Sequence, residues 1–218
     1  MSISLSLKSL FVGSSVARMS NEALILRYAA KKESHVLAQL YDNCERDLYH
    51  FLLSLTDKEL AQEVAQLTWL KVIEKTHLYR DQGSFKSWLF IIARRCLIDE
   101  FRKAGRFQEL FEEQTEGTTS KSTSSNNSGI LSSAQEYSEI LTDVELLSQR
   151  DSNSSIVKQF NIALSSLPFS QKEAFCLQQE GFSLAEISQL TASETETVKS
   201  RIRYAKQALK KHLEKYRD

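Results

Sequence analysis

The chain has 218 residues, 41% of them hydrophobic and 26% charged, and its formal net charge is +0. That is enough apolar material for one or two small folded domains. No apolar run approaches the roughly 20 residues a membrane helix needs, so stable membrane insertion is not expected. Six Gly and one Pro point to a helical protein with few tight hairpins. Cys44, Cys96 and Cys176 are odd in number, far apart and without CxxC spacing. They suggest a reducing, cytoplasmic setting and no zinc site.

The start, MSISLSLKSLFVG, is mildly apolar but has no early cationic cluster, which makes it a poor secretion signal. Met19 opens a second plausible start at which the helical pattern begins at once. Residues 1–20 are therefore expected to be a disordered extension, or residues 1–18 an artefact of start-site choice.

From about 21 to 105 the chain is densely patterned, with helices expected over 22–32, 34–55, 57–75 and 85–103. In the third, Glu59, Gln62, Glu63 and Gln66 form a narrow polar stripe among Leu60, Val64, Leu67, Leu70, Val72 and Ile73. Such a helix is expected to be buried on most sides and to show one polar edge. The fourth opens with Phe85, Trp88, Leu89, Phe90, Ile91 and Ile92 and then carries Arg94, Arg95, Arg102 and Lys103. Aromatic side chains beside cations suit single-stranded nucleic acid, where bases stack and phosphates pair. The alternative is that Trp88 and Phe90 are core and the arginines a solvated face.

Residues 106–155 read as a flexible acidic linker. Ten of the twelve residues Gly117–Ser128 are Ser, Thr or Asn, which cannot bury enough surface to order themselves. Across 108–155 nine acids face two cations, a net −7, with a short helix expected near Glu136–Leu147.

Residues 156–218 are patterned again, with helices expected over 156–165, 171–180, 184–190 and 194–215. Capping boxes, Ser or Thr followed three residues later by Glu, occur at Thr56/Glu59, Ser170/Glu173, Ser183/Glu186 and Ser193/Glu196. Gly181 stands where a left-handed helix stop is expected, and Phe182 and Ile187 occupy staple positions around Ser183. Only Thr191–Ser193 separates the last two helices, a helix-turn-helix spacing. In the final helix Val198, Ile202, Ala205, Leu209 and Leu213 mark the buried seam, and Lys199, Arg203, Lys206 and Lys210 run beside it. From Thr197 to Asp218 eight cations face two anions, a net +6. The helix dipole accounts for cations from Lys210 onward. It does not account for Lys199, Arg201 and Arg203, which point to an anionic partner, DNA first.

EVAQLTWLKVIEK (Glu63–Lys75) followed by FKSWLFIIARRCLIDEFRK (Phe85–Lys103) resembles region two of the extracytoplasmic-function (ECF) sigma factors. LPFSQKEAFCLQQEGFSLAEISQLTASETETVKSRIRYAKQALKKHL resembles their region four. The resemblance implies an all-α fold of two small helical domains, region two over 21–105 and a region four helix-turn-helix over 156–218. It implies a bacterial transcription initiation factor that binds core RNA polymerase and promoter DNA in the cytoplasm, monomeric when free, and that is restrained by an anti-sigma factor. Glu63 and Gln66 would grip the polymerase. Phe85, Ser87, Arg95, Arg102 and Lys103 would handle the melted minus-ten element. Lys199, Ser200, Arg203 and Tyr204 would read the minus-thirty-five element, with Arg201 and Lys206 holding phosphates.

Three positions depart from the family pattern: Leu67 where an acid is usual, Arg95 where Asn is frequent, and Glu196 where Gly is usual. The acidic linker fits a cation-lined polymerase channel, or is only what a disordered linker tends to be. A stand-alone helix-turn-helix regulator with an N-terminal sensor domain is the rival reading. No Gly-rich phosphate loop, His–acid pair or metal cluster suggests an enzyme or a cofactor.

Overall fold

The computed structural model describes residues 19–80, 83–112 and 151–214. Residues 1–18 of the N-terminal extension, residues 113–150 of the linker and its short helix near Glu136–Leu147 lie outside the described residues, while Met19 and Ser20, also expected in that extension, pack at the start of the first helix. Among those described, the secondary structure is helical throughout.

The first half comprises α1 (Asn21–Lys31), α2 (Ser34–Leu55), α3 (Lys58–Lys75), a 3-10 turn (Thr76–Leu78), α4 (Phe85–Lys103) and α5 (Phe107–Glu112). Ser20 caps α1, its hydroxyl accepting from the Ala23 N–H at 3.2 Å, and Lys32 ends it in the left-handed region at φ +53°. α2 buries Val36, Leu40, Cys44, Leu48, Phe51, Leu52 and Leu55, a stripe of helical period that packs on α1 and α3. α3 is capped one residue later than expected. Asp57, not Thr56, accepts from the Leu60 N–H at 2.9 Å, while Thr56 is extended. Aspartate caps at least as well as threonine, so the neighbour wins. α5 occupies residues expected in the linker. Its Phe107 ring takes the Arg102 guanidinium at 4.8 Å, and Phe107 and Leu110 pack against the core.

The second half comprises α6 (Asp151–Ser165), α7 (Phe169–Gln179), α8 (Leu184–Thr191) and α9 (Thr195–Glu214). Only one of its three expected capping boxes forms. The Ser183 hydroxyl accepts from the Glu186 N–H at 3.3 Å, and the Glu186 carboxylate accepts from the Ser183 N–H at 2.9 Å. These bonds from Ser183 hold the Glu186 carboxyl below its usual pKa. Their contribution to stability is therefore present above the ordinary carboxylate pKa and is lost as pH falls through the lowered one.

The other two boxes are corrected. α7 begins at Phe169 behind Pro168, whose φ of −53° already suits a helix, so Ser170 lies inside the helix and is buried. Its intended partner Glu173 turns instead to Arg94. Before α9 the Ser193 hydroxyl accepts from Arg201 at 2.8 Å, and Glu196 pairs with Lys199. Gly181 ends α7 at φ +88°, and Ala192 makes the turn before α9 at φ +50°.

The two halves pack against one another. One continuous buried cluster runs from Leu24 to Leu209. α7 packs on α2 and α5, and α8 packs on α4. Phe90 meets Phe182 at 5.0 Å and Phe101 meets Phe169 at 5.6 Å, edge to face, across the junction.

Candidate nucleic-acid interface

α9 is positioned by its seam. Val198, Ile202, Ala205 and Leu209 are buried against α6, α7 and α8, and Leu213 is partly buried. Lys199, Arg203, Tyr204 and Lys206 are thereby left exposed, and Ser200 is half-buried beside them. The Arg203 guanidinium lies 5.1 Å from the Tyr204 ring centroid, a stacked pair that presents a cation and a half-exposed aromatic together. Lys199 donates to the Glu196 carboxylate at 2.6 Å. The acid that departs from the family pattern therefore holds the first cation of the row.

Arg201 does not join this row. Its side chain turns inward and donates to Ser193, and burial lowers its pKa. The attraction of Glu173 opposes that shift and the repulsion of Arg94 adds to it. Arg201 was expected to hold a phosphate, and here it is half-buried against Ser193.

On α4 the expected strand-binding residues divide. Phe85 is fully buried, 6.0 Å from Tyr79 and 5.9 Å from Trp88 by ring centroid. Its N–H donates to Glu22 at 2.9 Å, a cap supplied from a distant helix where Ser84 makes none. That bond from Phe85 holds the Glu22 carboxyl below its usual value. Phe85 therefore anchors the start of α4 and offers no surface to a base. The Tyr79 hydroxyl closes the loop before α4 by donating to the Gly83 carbonyl at 3.1 Å. Phe90 is core and Trp88 is half-buried.

The Ser87 hydroxyl donates to Glu186 of α8 at 2.8 Å. Arg95, Arg102 and Lys103 are exposed. Arg102 pairs with Asp99 at 3.3 Å and Lys103 with Glu100 at 2.7 Å, surface pairs worth little and easily exchanged for phosphates.

On α3, Glu63 and Gln66 are exposed as expected. The rest of that edge differs. Leu70 is 57% and Ile73 37% exposed, so an apolar strip continues the polar one. With Tyr41 tilted against Trp69 at 5.0 Å between ring centroids, these residues and Gln62 and Gln66 line a groove of about 840 Å³ between α2 and α3. The Trp69 indole N–H is buried beneath it without a hydrogen-bond partner. Sequence reasoning placed Leu70 and Ile73 in the core. The available signal was that apolar residues run right round α3, more than one small core can cover. Leu67 lines a smaller cleft of about 350 Å³ with Lys71, Arg102 and Lys103.

Residues 40–107 match the family Sigma-70 region 2, which takes in all of α3 and α4. Over 181 residues the chain is 27% identical to the ECF RNA polymerase sigma factor SigX of Bacillus subtilis, covering 82% of this chain and 84% of that one. The chain is thus similar to an ECF sigma factor along most of its length. It is also 41% identical to Bacillus subtilis SigM over 66 residues, 40% of that protein's length.

Two of the solved structures similar to this chain share its fold. One is the sigma factor RpoE in complex with the anti-sigma factor NepR from Bartonella quintana. It has TM-score 0.56 and 23% identity, over 81% of this chain and 96% of that one. The other is CnrH in complex with the cytosolic domain of CnrY, with TM-score 0.57 and 17% identity, over 89% and 97%. Among the described residues no helix is long and apolar enough to cross a membrane.

Proposed function

We infer that this chain is a promoter-specific transcription initiation factor: it binds core RNA polymerase and directs it to promoters bearing minus-ten and minus-thirty-five elements. The observation that carries this reading is the region two match over 40–107, because both the Glu63–Gln66 edge and α4 fall within it. Gln66 and the apolar strip beside it offer the polymerase a mixed polar and apolar face, as a specific protein interface requires. Arg95, Arg102 and Lys103 lie together on the exposed side of α4, where a displaced strand would run.

Region four contributes the Lys199–Arg203–Lys206 row, which suits entry into a major groove. An anti-sigma factor as partner rests on kinship with chains solved in such complexes. A cytoplasmic, non-enzymatic role follows from the same kinship.

Lys199→Ala should change minus-thirty-five preference, lowering transcription from the preferred element by about 10- to 100-fold while leaving a mismatched element nearly unaffected, since a good base contact is worth about 1–3 kcal/mol. Transcription from a pool of promoters randomised at that element measures this. An even loss across all sequences would make Lys199 a phosphate contact, not a reader.

A further inference from the structure

Glu196 is an acid in a row of cations, in the first turn of α9. The N-terminal residues of a helix laid in a major groove are the ones that reach base edges. The turn before α9 is held without Glu196. The Ser193 hydroxyl accepts from Arg201 at 2.8 Å and donates to the Thr191 carbonyl at 3.3 Å, and the Ser188 hydroxyl donates to the Ser193 carbonyl at 2.6 Å. With Ser193 engaged in this way, the Glu196 side chain stays 81% exposed and accepts from Lys199 at 2.6 Å. Glu196, Lys199 and Arg203 recur at helical spacing, so they lie along one exposed side of α9, clear of buried Val198 and Ile202.

A carboxylate at this place is repelled by DNA phosphates, whose charge dominates binding. The base edges that suit it are amino groups. In the major groove the N4 amino group of cytosine lies beside O6 of its paired guanine, so a C·G pair sets a donor next to acceptors. Glu196 and Lys199 present the complement, an acceptor and a donor side by side. An A·T pair also offers an amino group beside a carbonyl. There Lys199 meets only O4 of thymine with its neighbouring methyl, whereas guanine gives both O6 and N7. Guanine or thymine beneath Glu196 sets a carbonyl oxygen against the carboxylate.

We propose that Glu196 is a specificity-determining residue of α9: its carboxylate accepts from N4 of one cytosine while Lys199 donates to the guanine paired with it, so the minus-thirty-five element carries one required C·G pair. The exposed ion pair is worth little in water, so both groups turn to the base pair at small cost. The assignment rests on the promoter reading above and names a base pair within it.

The test uses holoenzyme assembled from core polymerase and the full chain, on a promoter pool randomised at the minus-thirty-five element, with the transcripts sequenced. Wild type should favour C·G at one position by about tenfold or more over G·C and T·A, the scale of one good base contact. Glu196→Gln keeps the length of the side chain but adds a donor. It should move the preference at that position alone from C·G to A·T, since glutamine pairs with N6 and N7 of adenine. Glu196→Ala should erase the preference there, keep the choices at the other positions, and raise transcription from the disfavoured sequences.

A helix-start charge with no part in reading would give a different pattern. Both variants would then change transcription evenly across the pool with every preference kept, and that result overturns the assignment. So does a wild type with no C·G position that responds to Glu196. A wild-type holoenzyme that selects no minus-thirty-five element at all counts against the promoter reading instead. Selection of duplexes from the same pool by the chain alone then decides on Glu196: a C·G position lost in Glu196→Ala supports it as a reader, and an unchanged selection overturns it.

Discussion

Glu63→Arg should lower affinity for core RNA polymerase by about a hundredfold or more, because a like charge set into a complementary interface costs several kcal/mol. Glu63 is exposed on α3 beside Gln66, and its charge reaches Lys103 across the surface. Substitutions at such positions usually change folding stability by only about 0.5 kcal/mol. The fold and the α9 row should therefore survive, and duplex minus-thirty-five DNA should bind the variant as it binds wild type. Titrating a labelled chain with core polymerase by anisotropy separates the two effects. Wild-type core affinity would remove Glu63 from the interface and leave the groove edge at Gln66, Leu70 and Ile73 as the polymerase contact.

Phe51→Ala should cost about 3–5 kcal/mol of stability, the usual range for emptying a buried aromatic site. Phe51 is 2% exposed and packs at 5.0 Å on Phe90, which in turn packs at 5.0 Å on Phe182 of the other half. The cavity would thus open beneath the junction as well as within the first half. Against a total stability of about 5–15 kcal/mol this is a large fraction. The melting temperature should fall by roughly 10 °C, given about 2–4 °C per kcal/mol for a chain of this size. A fall of only a degree or two by calorimetry would show that the region around Phe51 repacks freely.

Where the deciding interactions are local, residues alone disclose them. Ser183 and Glu186 satisfy each other within one turn, Gly181 stops α7 unaided, and the seam Val198–Leu209 follows from period. Two of the misreadings share a cause, because the residue finds a partner far along the chain. Glu173 fits a capping box in sequence but takes Arg94, 79 residues away. Phe85 looks like a surface aromatic until Glu22, 63 residues away, caps its N–H and the helix start is drawn into the core.

Lys172 carries the same lesson. It sits one residue from Glu173 and is buried, and burial pushes its ammonium pKa down. Nothing in its neighbours along the chain marks it as an interior residue. Docking of α7 and α8 on the first half is likewise invisible to periodicity, since the contact joins elements far apart along the chain. Of the candidate site, the exposed cations of α9 and α4 and the Glu63–Gln66 edge were legible. The inward turn of Arg201 and the exposed apolar strip at Leu70 required the tertiary fold.

The central claim is that the chain gives core polymerase its choice of promoter. Run-off transcription with purified core on a pool of random promoter fragments tests it most directly. Core plus this chain should yield discrete starts sharing one minus-thirty-five and one minus-ten element at fixed spacing, and neither component alone should do so. Specific binding of the same fragments by the chain alone, with no transcripts when core is added, would contradict the account and identify a stand-alone regulator.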